Sequence, residues 1–153
     1  KGEICLYGPH IIKGYLNQPE ATADGIVQGW LRTGDIGFVD KDGFVYLVDR
    51  AKDMVLRGGE NVYCAEVEAA MYNYPGVGEC AVFPVSDISL GEEVGAAIFL
   101  TNEANINTDE LRCFLKATLA AFKVPRYIWL LHEPLPRNAA GKFLKRNLNL
   151  QRC

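Results

Sequence analysis

Two short apolar runs, Ala81-Val82-Phe83-Pro84-Val85 and Val94-Gly95-Ala96-Ala97-Ile98-Phe99-Leu100, constrain this chain more than any other feature. Both are shorter than a stable helix and rich in β-branched and aromatic residues. They read as strands, joined through Ser86–Glu93. Around them the periodicity changes. Val67, Ala70 and Met71 share one face of a helix from Ala65 to Tyr72, which Pro75-Gly76 ends. Thr108-Asp109-Glu110 supplies an N-cap and first-turn acids for a second helix carrying Leu111, Phe114, Leu115 and Leu119. Tyr127-Ile128-Trp129-Leu130-Leu131 reads as a further strand, and a short helix is expected over Phe143–Asn149. Val55-Leu56 and Val62-Tyr63 flank Arg57-Gly58-Gly59-Glu60-Asn61 in a hairpin-like unit. Helix, strand, strand, helix and strand in that order predict an α+β domain, a central and mainly antiparallel sheet flanked by helices.

The first 50 residues differ. A strand at residues 3–7 leads into a loop with Gly8-Pro9 and Gly14, and Asn17–Thr22 reads as a short helix opening on Pro19. Ile36, Phe38, Phe44, Tyr46 and Val48 alternate about Asp40-Lys41-Asp42-Gly43, which is a hairpin signal. So few elements have little to pack against one another, and a partner domain is expected to complete them. Lys1-Gly2-Glu3 enters the first strand without a methionine, so the chain reads as a piece cut from something longer.

Apolar content of 49% and charged content of 23% are those of a soluble globular protein. A net charge of −3 argues against a nucleic-acid or anionic-membrane surface. Cys5, Cys64, Cys80, Cys113 and Cys153 form no C-x-x-C pair, and only His10 and His132 accompany them, so no metal site is expected. Irregular spacing and an odd count fit free thiols in a reducing compartment. With no apolar run long enough to span a bilayer and no signal peptide, a cytoplasmic location is expected.

Four segments carry chemistry. Arg137-Asn138-Ala139-Ala140-Gly141-Lys142 isolates one lysine in a loop with turn-forming Asn138 and Gly141 and small Ala139 and Ala140. After Pro134 come Arg137, Lys142, Lys145, Arg146 and Arg152 with no acid. The segment therefore reads either as a basic tail or as a loop bringing a cation to phosphate. Trp30-Leu31-Arg32-Thr33-Gly34-Asp35 sets a carboxylate at a Gly-bent strand entry, where Asp35 can accept from a vicinal diol or form a turn. Asp49-Arg50-Ala51-Lys52-Asp53 falls where the composition changes. Arg57-Gly58-Gly59-Glu60-Asn61-Val62-Tyr63 has two glycines where backbone can approach a ligand, although no Walker loop occurs in the chain.

In order and spacing, these segments resemble the adenylate-forming (AMP-binding) superfamily of acyl-CoA ligases, luciferases and peptide-synthetase adenylation domains, and are most like an acyl-CoA synthetase. The resemblance runs nearly end to end, from Tyr7-Gly8 and Pro19-Glu20-Ala21-Thr22 to Lys142. It implies that residues 1–49 end a large N-terminal domain, 50–52 form a hinge pivoting at Lys52, and 53–153 form a mobile C-terminal domain. It further implies that Lys142 is catalytic, that Asp35, Arg50 and Asn61 bind nucleotide, and that the Gly58-Gly59 loop faces CoA. Cys64 stands where many members have proline. The phosphate loop and acyl pocket of the family are absent, so the chain is expected to be inactive alone. The implied reaction joins a carboxylic acid to CoA with ATP and Mg²⁺ through an acyl-adenylate. Transfer to a carrier-protein thiol is the alternative acceptor, and a non-catalytic, RNA-holding module the alternative class.

Overall fold

The computed structural model describes residues 1–101 and 106–145. The chain divides into two compact units, Lys1–Lys52 and Asp53–Cys153.

In the first unit, β1 (Gly2–Leu6), β2 (Ile26–Val27), β3 (Trp30–Val39) and β4 (Val45–Arg50) form an antiparallel sheet in which β3 pairs with all three others. The helix α1 (Pro19–Gly25) opens on its proline, as the sequence predicts. Asp40 makes the β3–β4 turn, its Oδ1 accepting the N–H groups of Asp42 and Phe44 at 2.9 Å each. Gly37 is the one buried residue among those described here. A Cβ at that position would lie 2.5 Å from the Tyr46 carbonyl oxygen, so only glycine fits. Phe38, Phe44, Tyr46 and Leu47 stay exposed. A unit with this little core has the composition of a surface waiting to be covered.

The second unit contains β5 (Val55–Arg57), β6 (Glu60–Val62), α2 (Cys64–Tyr72), β7 (Val77–Asp87), β8 (Gly91–Leu100), α3 (Thr108–Lys116) and β9 (Tyr127–Leu131). β8 is central. It pairs antiparallel with β7 along one edge, while the other edge takes β9 in parallel and touches β5, with β6 beyond. Along β7 the side chains alternate. Cys80 and Val82 join Met71 of α2 and Leu111 and Leu115 of α3 in the main core, while Ala81 and Phe83 face Leu135 and Phe143 on the opposite side. Thus the described helices cover one face, and the segment carrying the lysine loop covers the other. The fold is α+β with mainly antiparallel pairing, in agreement with the sequence.

Two details depart from the sequence reading. The two strands extend well beyond their apolar runs, because Ser86↔Glu92 and Asp87↔Gly91 continue the ladder. Only Ile88-Ser89-Leu90 remains as turn, held by Asp87 Oδ1 accepting from the N–H groups of Ser89 and Leu90. The N-cap of α3 is Asn107, whose side chain accepts the Asp109 N–H at 2.9 Å; Thr108 is the first helical residue, and Leu119 lies past the helix end though buried. The helix expected over Phe143–Asn149 lies largely outside the described residues. Of its first residues, Phe143 makes an isolated bridge with Arg137.

Strand β7 is an edge strand, which is where Pro84 is tolerated. Helix α2 protects that edge. Its Glu68 Oε1 accepts the Val82 N–H at 2.8 Å, and its Tyr72 hydroxyl takes the Cys80 N–H at 3.3 Å. Cys80 beneath it is buried, which pushes its thiol up to about 12 and leaves it un-ionised at neutral pH.

Candidate active-site elements

The lysine loop is built from its own backbone outward. Gly141 sits at φ +78°, a left-handed conformation that costs glycine little. Asn138 organises the turn, its Oδ1 accepting the N–H groups of Ala140 and Lys142 at 3.0 and 2.9 Å. Asn138 N–H donates to the Lys142 carbonyl, and Gly141 N–H to the Asn138 carbonyl, both at 2.9 Å. Every described peptide group next to Lys142 is therefore tied down. The side chain is different. Of the three described cations after Pro134, Arg137 pairs with Glu79 at 2.7 Å and Lys145 with Glu68 at 2.7 Å. Lys142 is exposed and, among the described residues, makes no ion pair. Among the described residues, two of these three charges are consumed inside the unit and one is presented on a hydrogen-bonded turn.

Neither pairing is legible in the sequence: Glu79 stands in no recognised motif, and Glu68 belongs to the Ala65-Glu66-Val67-Glu68 stretch that resembles the family without naming its partner. Glu79 is held below the usual carboxylate range, chiefly by the Arg137 guanidinium. For Lys145, burial alone would pull the ammonium down, but the attraction of Glu68 outweighs it and raises it.

Gly58 and Gly59 form the two-residue β5–β6 turn at φ +57° and +89°, the left-handed pair such hairpins require. Gly58 N–H donates to the Leu90 carbonyl at 2.9 Å, which joins this turn to the β7–β8 turn. Arg57, at the base of the turn, donates through Nε and Nη2 to Glu93, whose side chain is 1% exposed. Glu93 also accepts the Val94 N–H at 3.0 Å and lies 3.6 Å from Arg126. Asn61 is exposed on β6, opposite Leu56 in the ladder.

In the first unit, Asp35 and Arg50 stand opposite each other in the β3–β4 ladder and are joined at 2.9 Å, Arg50 Nε to Asp35 Oδ1. The sequence singled them out separately; the register brings them together. Glu3 supports the bend before Asp35, with one oxygen on the Gly34 N–H at 3.1 Å and the other on Arg32 at 2.8 Å. Lys52 is exposed in a 3₁₀ turn over Ala51–Asp53, at the boundary of the two units. Among the described residues, no three or more His, Cys, Asp or Glu side chains are grouped so as to hold a metal ion. No helix among them is long and apolar enough to cross a membrane.

The family model of the AMP-binding enzyme C-terminal domain matches residues 66–142, half of the chain, from α2 through Lys142. The chain belongs to this family. The AMP-binding C-terminal domain described here is 46% identical to feruloyl-CoA synthase of Amycolatopsis sp over 95% of the chain and 29% of that protein. It is 47% identical to 2-succinylbenzoate–CoA ligase of Geobacillus kaustophilus over 96% of the chain and 30% of the relative. It thus spans about three-tenths of the length of these curated relatives. Among solved structures, o-succinylbenzoate CoA synthetase from Bacillus subtilis, in complex with the acyl-adenylate intermediate OSB-AMP, superposes with a TM-score of 0.86. That match has 38% identity and covers 99% of this chain and 31% of the other. ATP-bound MatB from Rhodopseudomonas palustris gives a TM-score of 0.86 at 37% identity, covering 95% of this chain and 29% of the other.

Proposed function

We propose that this AMP-binding C-terminal domain works within a longer acid–thiol ligase, which activates a carboxylic acid with ATP as an acyl-adenylate and then transfers the acyl group to CoA. The observation that carries the proposal is Lys142, an exposed ammonium without an ion partner among the described residues, on a turn whose backbone is hydrogen-bonded at Asn138, Gly141 and Lys142. In the first half-reaction, an acid carboxylate attacks the α-phosphate of ATP and pyrophosphate leaves. Negative charge crowds at the reacting phosphorus, and a positioned cation lowers that barrier without itself reacting. In the second, a thiol attacks the acyl carbonyl and AMP departs. The thiol needs a path to the acyl carbonyl through the space that Lys142 fills during adenylation, so a change of domain orientation about Lys52 withdraws the lysine and brings the Gly58-Gly59 turn forward. Asp35 and Arg50 hold the ribose in both states, and Asn61 lies near phosphate.

The names of the relatives support CoA as acceptor over a carrier-protein thiol. A non-catalytic RNA-holding role is disfavoured, because Arg137 and Lys145 are neutralised by Glu79 and Glu68 instead of forming a basic stripe. The chain spans about three-tenths of the length of these relatives, and acid-dependent ATP–pyrophosphate exchange by the isolated 153 residues is expected to be undetectable; its detection would contradict this reading.

Lys52→Pro in the full-length enzyme tests the hinge. Proline fixes φ near −65° and removes an N–H, so it restricts the pivot without touching either active face. Adenylation, read as acid-dependent ATP–pyrophosphate exchange, should persist near the wild-type rate, while acyl-CoA formation falls at least about tenfold. Equal loss of both, or wild-type turnover, would place the pivot elsewhere.

A further inference from the structure

We infer that Glu79 and Arg137 are positioning residues for Lys142, a clamp that anchors the lysine loop to the sheet; the inference rests on Lys142 being the adenylation cation. The two acceptor oxygens of Glu79 have separate tasks. Oε2 takes the Leu135 N–H at 2.8 Å, and Oε1 takes Arg137 Nη2 at 2.7 Å. A bulge in β7 between Val77 and Glu79 sets this carboxylate at the strand's start. Arg137 passes the constraint on. Its Nη1 donates to the Gly141 carbonyl at 2.9 Å, and its guanidinium carbon lies 4.1 Å from the centroid of the Phe143 ring. The residues immediately before and after Lys142 are therefore both gripped by one side chain, itself tied to β7. Leu135, the other point held by Glu79, is 3% exposed and plugs the sheet face.

A half-exposed ion pair of this kind adds little to folding. Its consequence is geometric. A catalytic group displaced by about 1 Å can lose on the order of 10²-fold in rate. Lysine cannot replace Arg137, because a single ammonium can neither bridge Glu79 and Gly141 in a planar fork nor stack on Phe143.

The test uses Glu79→Gln, which keeps an acceptor for Leu135, and Arg137→Lys, which keeps the charge, each in the full-length enzyme. Amide hydrogen exchange is measured beside both half-reactions. Protection should fall at Gly141 and Lys142 but not at Val82 or Ile98, and the thermal midpoint should stay within a few degrees of wild type. The kcat of adenylation should drop roughly 10- to 100-fold with little change in KM for ATP, while thioester formation from presynthesised acyl-adenylate stays within about twofold. Unchanged protection, unchanged adenylation or equal loss of both half-reactions would overturn the clamp. Lys142→Ala is run alongside. If it too leaves adenylation intact, the role of Lys142 fails; if it alone abolishes adenylation, only the clamp fails.

Discussion

Replacing Lys142 with alanine in the full-length enzyme is expected to lower acid-dependent ATP–pyrophosphate exchange by roughly 10²–10³-fold, the loss typical of one preorganised charge-stabilising group. Thioester formation from presynthesised acyl-adenylate should remain within about threefold of wild type, because the phosphoryl chemistry is already complete. The unfolding midpoint should not move. The Lys142 side chain is exposed and unpaired among the described residues, whereas the turn rests on Asn138 and the Lys142 backbone, which alanine retains. Lys142→Arg is expected to recover little, since a bulky fork replaces a compact ammonium. Ferulate, 2-succinylbenzoate, oxalate and a long-chain fatty acid, the acids in the names of the relatives, form the assay panel. Parallel loss of both half-reactions would make Lys142 a structural residue.

Glu93→Leu is expected to produce the largest loss of stability. Removing one member of a buried pair leaves the other uncompensated, at about 3–5 kcal/mol when both are buried. Arg57 retains 27% exposure and can partly rehydrate, so about 2–3 kcal/mol is expected, or roughly 10–20 °C in midpoint for a domain of this size. The Val94 N–H loses its acceptor as well. Adding Arg57→Met should restore much of the loss, because the penalty lies in the stranded charge. The pH dependence follows from the direction of the shift. Burial works to raise the Glu93 carboxyl, but the hydrogen bond from Arg57 and the neighbouring charges hold it below its ordinary value. Its contribution is complete above the unfolded carboxylate value near 4.3 and is lost as pH falls through the lower folded value. The gap between wild type and Glu93→Leu should therefore narrow below about pH 4 in urea unfolding. A single variant as stable as wild type at pH 7 would contradict the pairing.

The elements legible in the sequence were those with a local signature. Tyr127–Leu131 and the β3–β4 hairpin carry their own apolar pattern and turn residues, and both occur as expected. The ends of β7 and β8 were hidden because Ser86, Asp87, Gly91 and Glu92 are polar or flexible, and only cross-strand register makes them strand. The candidate site divides the same way. Lys142, Asp35, Arg50 and the Gly58-Gly59 turn lie within recognisable motifs. Glu79 and Glu93 do not, since an acid 58 residues before Arg137 becomes its partner only after the sheet forms; Glu68 lies in the Ala65-Glu66-Val67-Glu68 stretch that resembles the family, but its pairing with Lys145 carries no local signal. The one local hint was Glu93 itself, a charge directly before an apolar run, where an unpaired carboxylate would be costly.

The most direct measurement is the product balance of the full-length enzyme. Incubated with ATP, CoA and each acid of the panel, it should release one AMP and one pyrophosphate for every acyl-CoA formed, with the wild-type AMP signal lost in Lys142→Ala. Release of ADP and phosphate in place of AMP and pyrophosphate, or acyl-CoA formation that survives loss of the Lys142 ammonium, would contradict the proposed function.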